Sequence, residues 1–311
     1  MKRYSQDLIR LSALNANLLL RSRLIREIRR FFNNLDYLDI ETPCRRPTQA
    51  PEAHIDAEES GDWFLQTSPE LCMKRLLSAG YDRIFQICRC FRKGERGDRH
   101  LPEFTMLEWY CADFSLFDMM EQCEDLIRAV AHGLGKDETL SYQGRIIRLE
   151  KPWSRSMVSE TFLRHAAIPV EEALSSGRFD EIMGLDIEPE LGHGAPVFLY
   201  DYPASQGSLA RVDPGNPGCV LRFELYIGGM ELCNAFSELT DPEEQRLRFE
   251  KELAIRGRLR KTTYPMPEKF LNALRFMPEA AGCAMGIDRL AMLFTDAKTI
   301  DEVTAFTPET L

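Results

Sequence analysis

The chain has 311 residues, with 39 Lys and Arg against 49 Asp and Glu and a formal net charge of -10. That length admits one large domain or two smaller ones, and the acidic balance excludes broad, sequence-independent nucleic-acid binding, which needs a basic footprint to release counterions. No apolar run approaches the roughly 18 residues of a membrane span, and the charged start MKRYSQDLIR is not followed by the apolar core and cleavage site of a secretory leader.

In chain order, Asn17 to Phe32 carries apolar residues at helical spacing (Leu20, Leu24, Ile28, Phe31, Phe32) with arginines on the other face, and Asn33 and Asn34 end it. Tyr37 to Thr42 alternates as a short strand stopped by Pro43. Ser68 suits an N-cap, with Pro69 first in the helix and Glu70 in its first turn, which predicts a helix over 69–78. Arg83 to Arg92 and Glu103 to Ala112 predict two strands of a long hairpin. Cys88 and Cys90 then share one strand face; with no second soft pair nearby they read as thiols rather than metal ligands. The nine cysteines, odd in number and without a CxxC pair, predict buried thiols in a reducing cytoplasm.

Ser115 caps a predicted helix that runs to about Leu134, where Gly133 and Gly135 end it. Residues 140–195 are polar, with weak helical patches and few strand signals, and read as an insertion. Strands return over 196–202, 220–227 and 230–236, the last two joined by the turn Gly228-Gly229. Asp241, Pro242 and Glu243 open a charged helix to about Arg260; Ala280 to Gly286 reads as a buried strand and Ile287 to Phe294 as a helix. Strands interrupted by helices without regular alternation predict an α+β domain, an antiparallel sheet flanked by helices.

Two stretches draw attention for chemistry. FRKGERGDRHLPEFTMLEWY at 91–110 concentrates Arg92, Lys93, Arg96, Arg99 and His100 ahead of an apolar run with Glu103 and Glu108; on charge pattern alone it is a solvated loop. In GCAMGIDRLAMLF at 282–294, Gly282, Ala284 and Gly286 leave room for something flat against the backbone, and Arg289 follows in the first helical turn. It matches neither the dinucleotide fingerprint nor the phosphate-loop pattern, and tight strand-to-helix packing explains it equally well.

With LDIETP at 38–43, these stretches resemble the three signature motifs of the class II aminoacyl-tRNA synthetases, most closely lysyl-tRNA synthetase. Pro43 carries the first; Phe91, Arg92, Arg99, His100, Pro102, Glu103, Phe104, Thr105, Met106 and Glu108 the second; Gly286, Asp288 and Arg289 the third. TSPELCMKRLLSAG at 67–80 and ELCNAFSEL at 231–239 look like the lysine-specific core. The resemblance implies a single class II catalytic domain over 1–311. Too little chain precedes Pro43 for that synthetase's anticodon-binding domain, so tRNA is not the expected partner. The chain is similar instead to truncated paralogues that attach (R)-β-lysine to a lysine of elongation factor P, a translation factor shaped like tRNA. FTMLEWY at 104–110, YPASQGSLAR at 202–211, and Ala284, where lysyl-tRNA synthetase has glycine, favour that group.

The resemblance implies adenylation of (R)-β-lysine or lysine by ATP, then acyl transfer to an amine. Arg92 and Arg289 are the implied catalytic pair, Arg92 gripping both the substrate carboxylate and the α-phosphate. Phe104 is expected beneath adenine with Arg289 above it, His100 facing the terminal phosphates, and Leu232 and Gly286 completing the ATP site. Glu231 and Glu238 are implied Mg²⁺ ligands, Glu238 alternatively meeting a substrate amine. Ser68, Pro69, Glu70, Glu108, Tyr110, Asn234 and Ala284 are implied for the amino-acid pocket, where carboxylates balance two ammonium groups. Outside that context Phe104 and Tyr110 are ordinary core residues and Glu70 a first-turn charge. A homodimer is implied too, and the apolar stripe of Leu20, Leu24, Ile28 and Phe31 would supply its contact, unless it packs on the chain's own core.

The match fails at Lys93 and Gly94, where the family has asparagine and glutamate, and at Leu101, where it has asparagine. Either Glu95 takes the missing glutamate's place near adenine or the nucleotide is held less tightly. Two other readings stay open: a stand-alone lysine-activating paralogue that acylates tRNA or another carrier, and a non-catalytic amino-acid-binding relic.

Overall fold

The computed structural model describes residues 6–207 and 209–311; Met1 to Ser5 of the charged start and Ser208 of YPASQGSLAR lie outside the described residues. Helix α1 (Gln6–Ala13), which no periodicity announced, leads into α2 (Asn15–Asn34). The strand expected over 37–42 shrinks to β1 (Leu38–Asp39), because beyond Ile40 the chain turns away toward Pro43. Short strands β2 (Arg45–Arg46), β3 (Glu59–Ser60) and β4 (Trp63–Leu65) form a separate small sheet. Helix α3 (Glu70–Leu77) begins where the Ser68 hydroxyl accepts the Glu70 amide at 2.9 Å. The long hairpin β5 (Arg83–Phe91) and β6 (Glu103–Ala112) follows, then α4 (Leu116–Gly133), closed by a capping box between Ser115 and Asp118.

Residues 140–195 are more ordered than the polar sequence suggested. They hold a hairpin, β7 (Thr139–Tyr142) and β8 (Arg145–Arg148), whose two-residue turn puts Gln143 and Gly144 at positive φ. Next come β9 (Ser154–Met157), which adds a parallel edge to the main sheet, and three helices: α5 (Val158–His165), α6 (Val170–Ser175) and α7 (Phe179–Ile182). They pack Phe162, Ala173 and Ile182 against Leu199 and Val220, a core of their own under the sheet edge. The chain continues through β10 (Val197–Pro203), β11 (Val212–Asp213), β12 (Asn216–Tyr226), β13 (Glu231–Ser237), α8 (Pro242–Arg258), α9 (Glu268–Leu274), β14 (Ala280–Gly286) and α10 (Ile287–Thr295). Gly228 and Gly229, both at positive φ, make the tight β12–β13 turn.

The main sheet runs β1-β5-β6-β14-β13-β12-β10-β9, antiparallel except at its two edges, with β11 paired to β12. Alternation sorts its centre. Leu107, Trp109 and Cys111 of β6, Cys233 and Ala235 of β13, and Ala281, Cys283 and Met285 of β14 face a core closed by α2, α4 and α10. Their neighbours Glu108, Tyr110, Asn234, Phe236, Gly282 and Ala284 are therefore left to the opposite face. The α2 stripe is buried on this same core, with Leu24, Ile28 and Phe32 fully inaccessible and Leu20 and Phe31 packed beside them. The apolar argument for a dimer contact at this stripe is thereby removed.

The cysteines divide. All are free; Cys90, Cys111, Cys123, Cys233 and Cys283 are buried, while Cys44 is exposed, against expectation. Cys88 and Cys90 share a face with their sulfurs 3.9 Å apart.

Asp288, at the start of α10, joins three elements. Its carboxylate accepts the Thr105 amide of β6 at 2.7 Å and the Arg21 guanidinium of α2 at 2.6 Å, and Arg21 also donates to the Thr105 hydroxyl at 2.9 Å. Asp288→Ala would strand both donors in a buried place and is expected to cost about 3 kcal/mol, read as a lower urea midpoint at unchanged slope.

Candidate active site

Against the polar face of β6, β12, β13 and β14 lies a cavity of about 330 Å³. Arg92, Arg99, Arg222 and Arg289 bring positive charge to it, and Glu52, Glu95, Glu224 and Glu231 negative charge. Phe104, His100, Leu232, Asn234, Ala284 and Gly286 are also in its wall. All seven residues implied for ATP, Arg92, His100, Phe104, Glu231, Leu232, Gly286 and Arg289, are thus gathered here.

The arginines are held in different ways. Arg289 Nη1 donates to the Glu231 carboxylate at 3.0 Å and to its carbonyl at 2.9 Å, while Nη2 lies 2.5 Å from His100 Nε2. Burial and the Arg289 charge push His100 down to about 4, so near pH 7 its ring is neutral and accepts from Arg289. Burial alone would raise Glu231, but Arg289 holds its carboxyl below the usual range. Arg92 lies 5.1 Å over the Phe104 ring, occupying one aromatic face, and its buried Nε has no partner. Arg222 is fixed by Asn234 Oδ1 at 3.1 Å and Glu224 at 2.6 Å.

A cluster of carboxylates is buried beyond the Ala284 end of the cavity, where β14 pairs Ala284 with Glu108 and Gly282 with Tyr110. Ser68 Oγ donates to Glu108 Oε1 at 2.6 Å and Tyr110 to Oε2 at 2.9 Å. Lys74, on α3, ion-pairs with Glu70 at 2.5 Å and with Glu238. Burial would depress the Lys74 ammonium, but Glu238 and Glu70 hold it above its usual value. Burial, joined by the other carboxylates, pushes Glu108 up to about 7 and Glu238 up to about 8. Glu238 Oε1 has no hydrogen-bond partner among the described residues, and Oε2 meets only the Lys74 ammonium.

Residues 1–310 match the family described as tRNA synthetases class II (D, K and N). The chain belongs to the class II aminoacyl-tRNA synthetase family. It is 38% identical to the elongation factor P (R)-β-lysine ligase of Klebsiella pneumoniae, over 94% of each chain. To the ligases of that name from Erwinia tasmaniensis and Pectobacterium carotovorum it is 39% identical, over 95% and 96% of this chain and 96% and 97% of theirs.

Of the class II residues implied for the amino acid, Ser68, Glu70, Glu108 and Tyr110 converge in the buried cluster beside Pro69, whereas Asn234 and Ala284 line the cavity. Glu231 and Glu238 fall in two charge clusters: Glu231 answers to Arg289 and Arg222, Glu238 to Lys74, Glu70 and Glu108. Glu95 does reach the cavity, 3.9 Å from Arg92, and Leu101 is buried at its edge. Sequence reasoning missed Lys74, Glu52, Arg222 and Glu224. Lys74 left a trace, since it stands four residues after Glu70 on an otherwise apolar helix face.

Gly282 accommodates protein rather than a flat ligand: a Cβ there would fall 2.3 Å from the Tyr110 ring and 2.4 Å from Glu238 Oε1. Gly282→Ala must displace both, and is expected to raise the amino-acid KM by at least about tenfold with a smaller effect on the ATP KM, measured by pyrophosphate exchange.

Proposed function

We propose that the chain activates (R)-β-lysine, or lysine less well, as an aminoacyl adenylate and transfers it to a lysine of elongation factor P. The relatives' names supply the amino acid and acceptor, and the charge count at the buried end carries the reading. Three carboxylates, Glu70, Glu108 and Glu238, surround one ammonium, Lys74. Fully ionised they leave two negative charges, the complement of an amino acid with two ammonium groups.

The cavity fits ATP. Four arginines suit a triphosphate, the unpartnered Arg92 Nε is a buried donor awaiting an acceptor, and Phe104 offers an aromatic surface. Arg92 would hold the substrate carboxylate beside the α-phosphate, so that a carboxylate oxygen attacks phosphorus while the bond to the pyrophosphate oxygen breaks. Arg289 and Arg99 stabilise the charge that gathers on the departing pyrophosphate. Glu231, with Glu224 nearby, would hold Mg²⁺, which would neutralise phosphate charge; Glu238 would join only by loosening its pair with Lys74.

A second copy of the chain is proposed as partner on the family resemblance alone, and sedimentation at micromolar concentration decides it. The cytoplasm, where translation factors act, is the proposed location. Among the described residues no helix is long and apolar enough to cross a membrane.

ATP–pyrophosphate exchange tests the first step: exchange with (R)-β-lysine is expected, absence with it and with lysine would overturn the proposed substrate, and absence with every amino acid would leave only a binding relic. Transfer to elongation factor P is expected and charging of bulk tRNA is not. Ala284→Gly, which removes a methyl from the cavity wall, is expected to shift preference toward lysine by about ten- to a hundredfold, worth roughly 1 to 3 kcal/mol; an unchanged ratio would make Ala284 mere packing. Because the diammonium substrate needs Glu108 and Glu238 ionised, its binding must release their protons. Affinity is therefore expected to rise with pH from about 6 to about 8, by up to about tenfold per unit for each proton released, measured by calorimetry in buffers of different ionisation enthalpy.

A further inference from the structure

Glu52 stands at a junction. It lines the cavity with Arg92 and also a second cleft of about 510 Å³, and the two openings share Glu52 and Ile55. His54, Asp180, the turn 204–207, and Lys251 and Glu252 of α8 wall that cleft. The segment bearing Glu52 is pinned on both sides: Glu252 accepts the Ala53 amide at 2.7 Å, and Arg256 donates to the Glu52 carbonyl at 2.7 Å. The Glu52 carboxylate itself makes no ion pair or hydrogen bond with any described side chain. Facing it are Glu70 from α3, Glu252 from α8, Arg92 from the hairpin and Arg222 from β12.

We propose that the second cleft admits the acceptor lysine and that Glu52 is the general base that takes its proton. This rests on the acyl-transfer reading above. The buried carboxylate cluster closes the far end of the amino-acid site, so an acceptor must come from the solvent side toward the acyl carbon, which lies where Arg92 holds the carboxylate. Glu52, Asp180 and Glu252 give this approach an acidic lining that suits an ammonium; of the two cations there, Arg248 is tied to Glu244 and to the carbonyls of Gly207 and Ala210.

A lysine amine is protonated near pH 7 and cannot attack until it loses that proton. Burial pushes Glu52 up to about 7, Glu70 and Glu252 adding to it and Arg92 and Arg222 opposing, which matches a base to the working pH. In the step, Glu52 accepts one ammonium proton and the freed nitrogen attacks the acyl carbon. The bond from that carbon to the phosphate oxygen breaks, and AMP leaves carrying the second nitrogen proton. Glu52 then returns its proton to solvent.

The test separates the two half-reactions. Pyrophosphate exchange and single-turnover transfer from preformed adenylate are measured for the parent, Glu52→Gln and Glu52→Asp, with elongation factor P and with Nα-acetyl-lysine amide as acceptors. The ratio of transfer to exchange is expected to fall about 100-fold in Glu52→Gln and to recover substantially in Glu52→Asp. Parental transfer should decline below pH 7 along a limb that Glu52→Gln lacks. A parental ratio in Glu52→Gln, or an equal fall in both half-reactions, overturns the assignment. Parental transfer to the small amide but not to elongation factor P would instead overturn the acceptor proposed above, leaving the base to be judged on the small amine.

Discussion

Everything at the site depends on three adjacent strands being dry on one face and charged on the other. In β6, β13 and β14 every second side chain enters the core under α2, α4 and α10, and the residues between them have nowhere to go but the opposite face. A slip of one residue would bring Glu108 against α4 and carry Trp109 out of the core, so the core's demand for apolar surface also fixes where the carboxylates stand. The Asp288 clamp adds a second lock, because α10 cannot shift along β6 without breaking its bond to the Thr105 amide.

The buried carboxylates are an uncomfortable arrangement for a folded chain. Glu108 and Glu238 are driven toward their neutral forms by burial, and Lys74 answers only part of the surrounding charge. Such strain persists where it serves binding: a site short of positive charge prefers a ligand that brings it, and discriminates against amino acids with a single ammonium. The arginine-rich cavity has the opposite bias, so under the proposed function the two ends of the site would sort a cationic amino acid from an anionic nucleotide by charge before any shape is matched.

Much of the fold was legible because it rests on short-range signals. Ser115 announced α4 by its capping chemistry, Gly228 and Gly229 announced a two-residue turn, and the hairpin of β5 and β6 followed from two strand-like runs either side of a glycine-containing loop. The region 140–195 was not, since β9 gains its meaning only by pairing with β10, some forty residues later, and its four residues, Ser-Arg-Ser-Met, carry no apolar alternation. At the site, Arg92, Phe104 and Arg289 were found through their motifs, and the structure brings them into one cavity. Lys74 left only the trace of its spacing from Glu70, and Glu52 left none, because what makes them significant is set by groups distant in sequence: Glu238 for Lys74, and Arg92 and Arg222 for Glu52. Likewise the α2 stripe showed that burial was needed without showing against what, and the answer was the chain's own core.

The buried thiols have a use that no enzyme chemistry supplies. Cys90, Cys111, Cys233 and Cys283 stand on four strands of the main sheet, β5, β6, β13 and β14, and Cys123 on α4, which packs against it; Cys123, Cys233 and Cys283 cluster with their sulfurs within 4.8 Å of one another. An alkylating reagent can reach such a sulfur only when its element opens, so the order in which these positions become labelled reports how the domain breathes. Cys44, already exposed, serves as the internal clock for the reagent. The chain thus carries a residue-by-residue gauge of local opening on both faces of its main sheet, readable by mass spectrometry without any engineered probe.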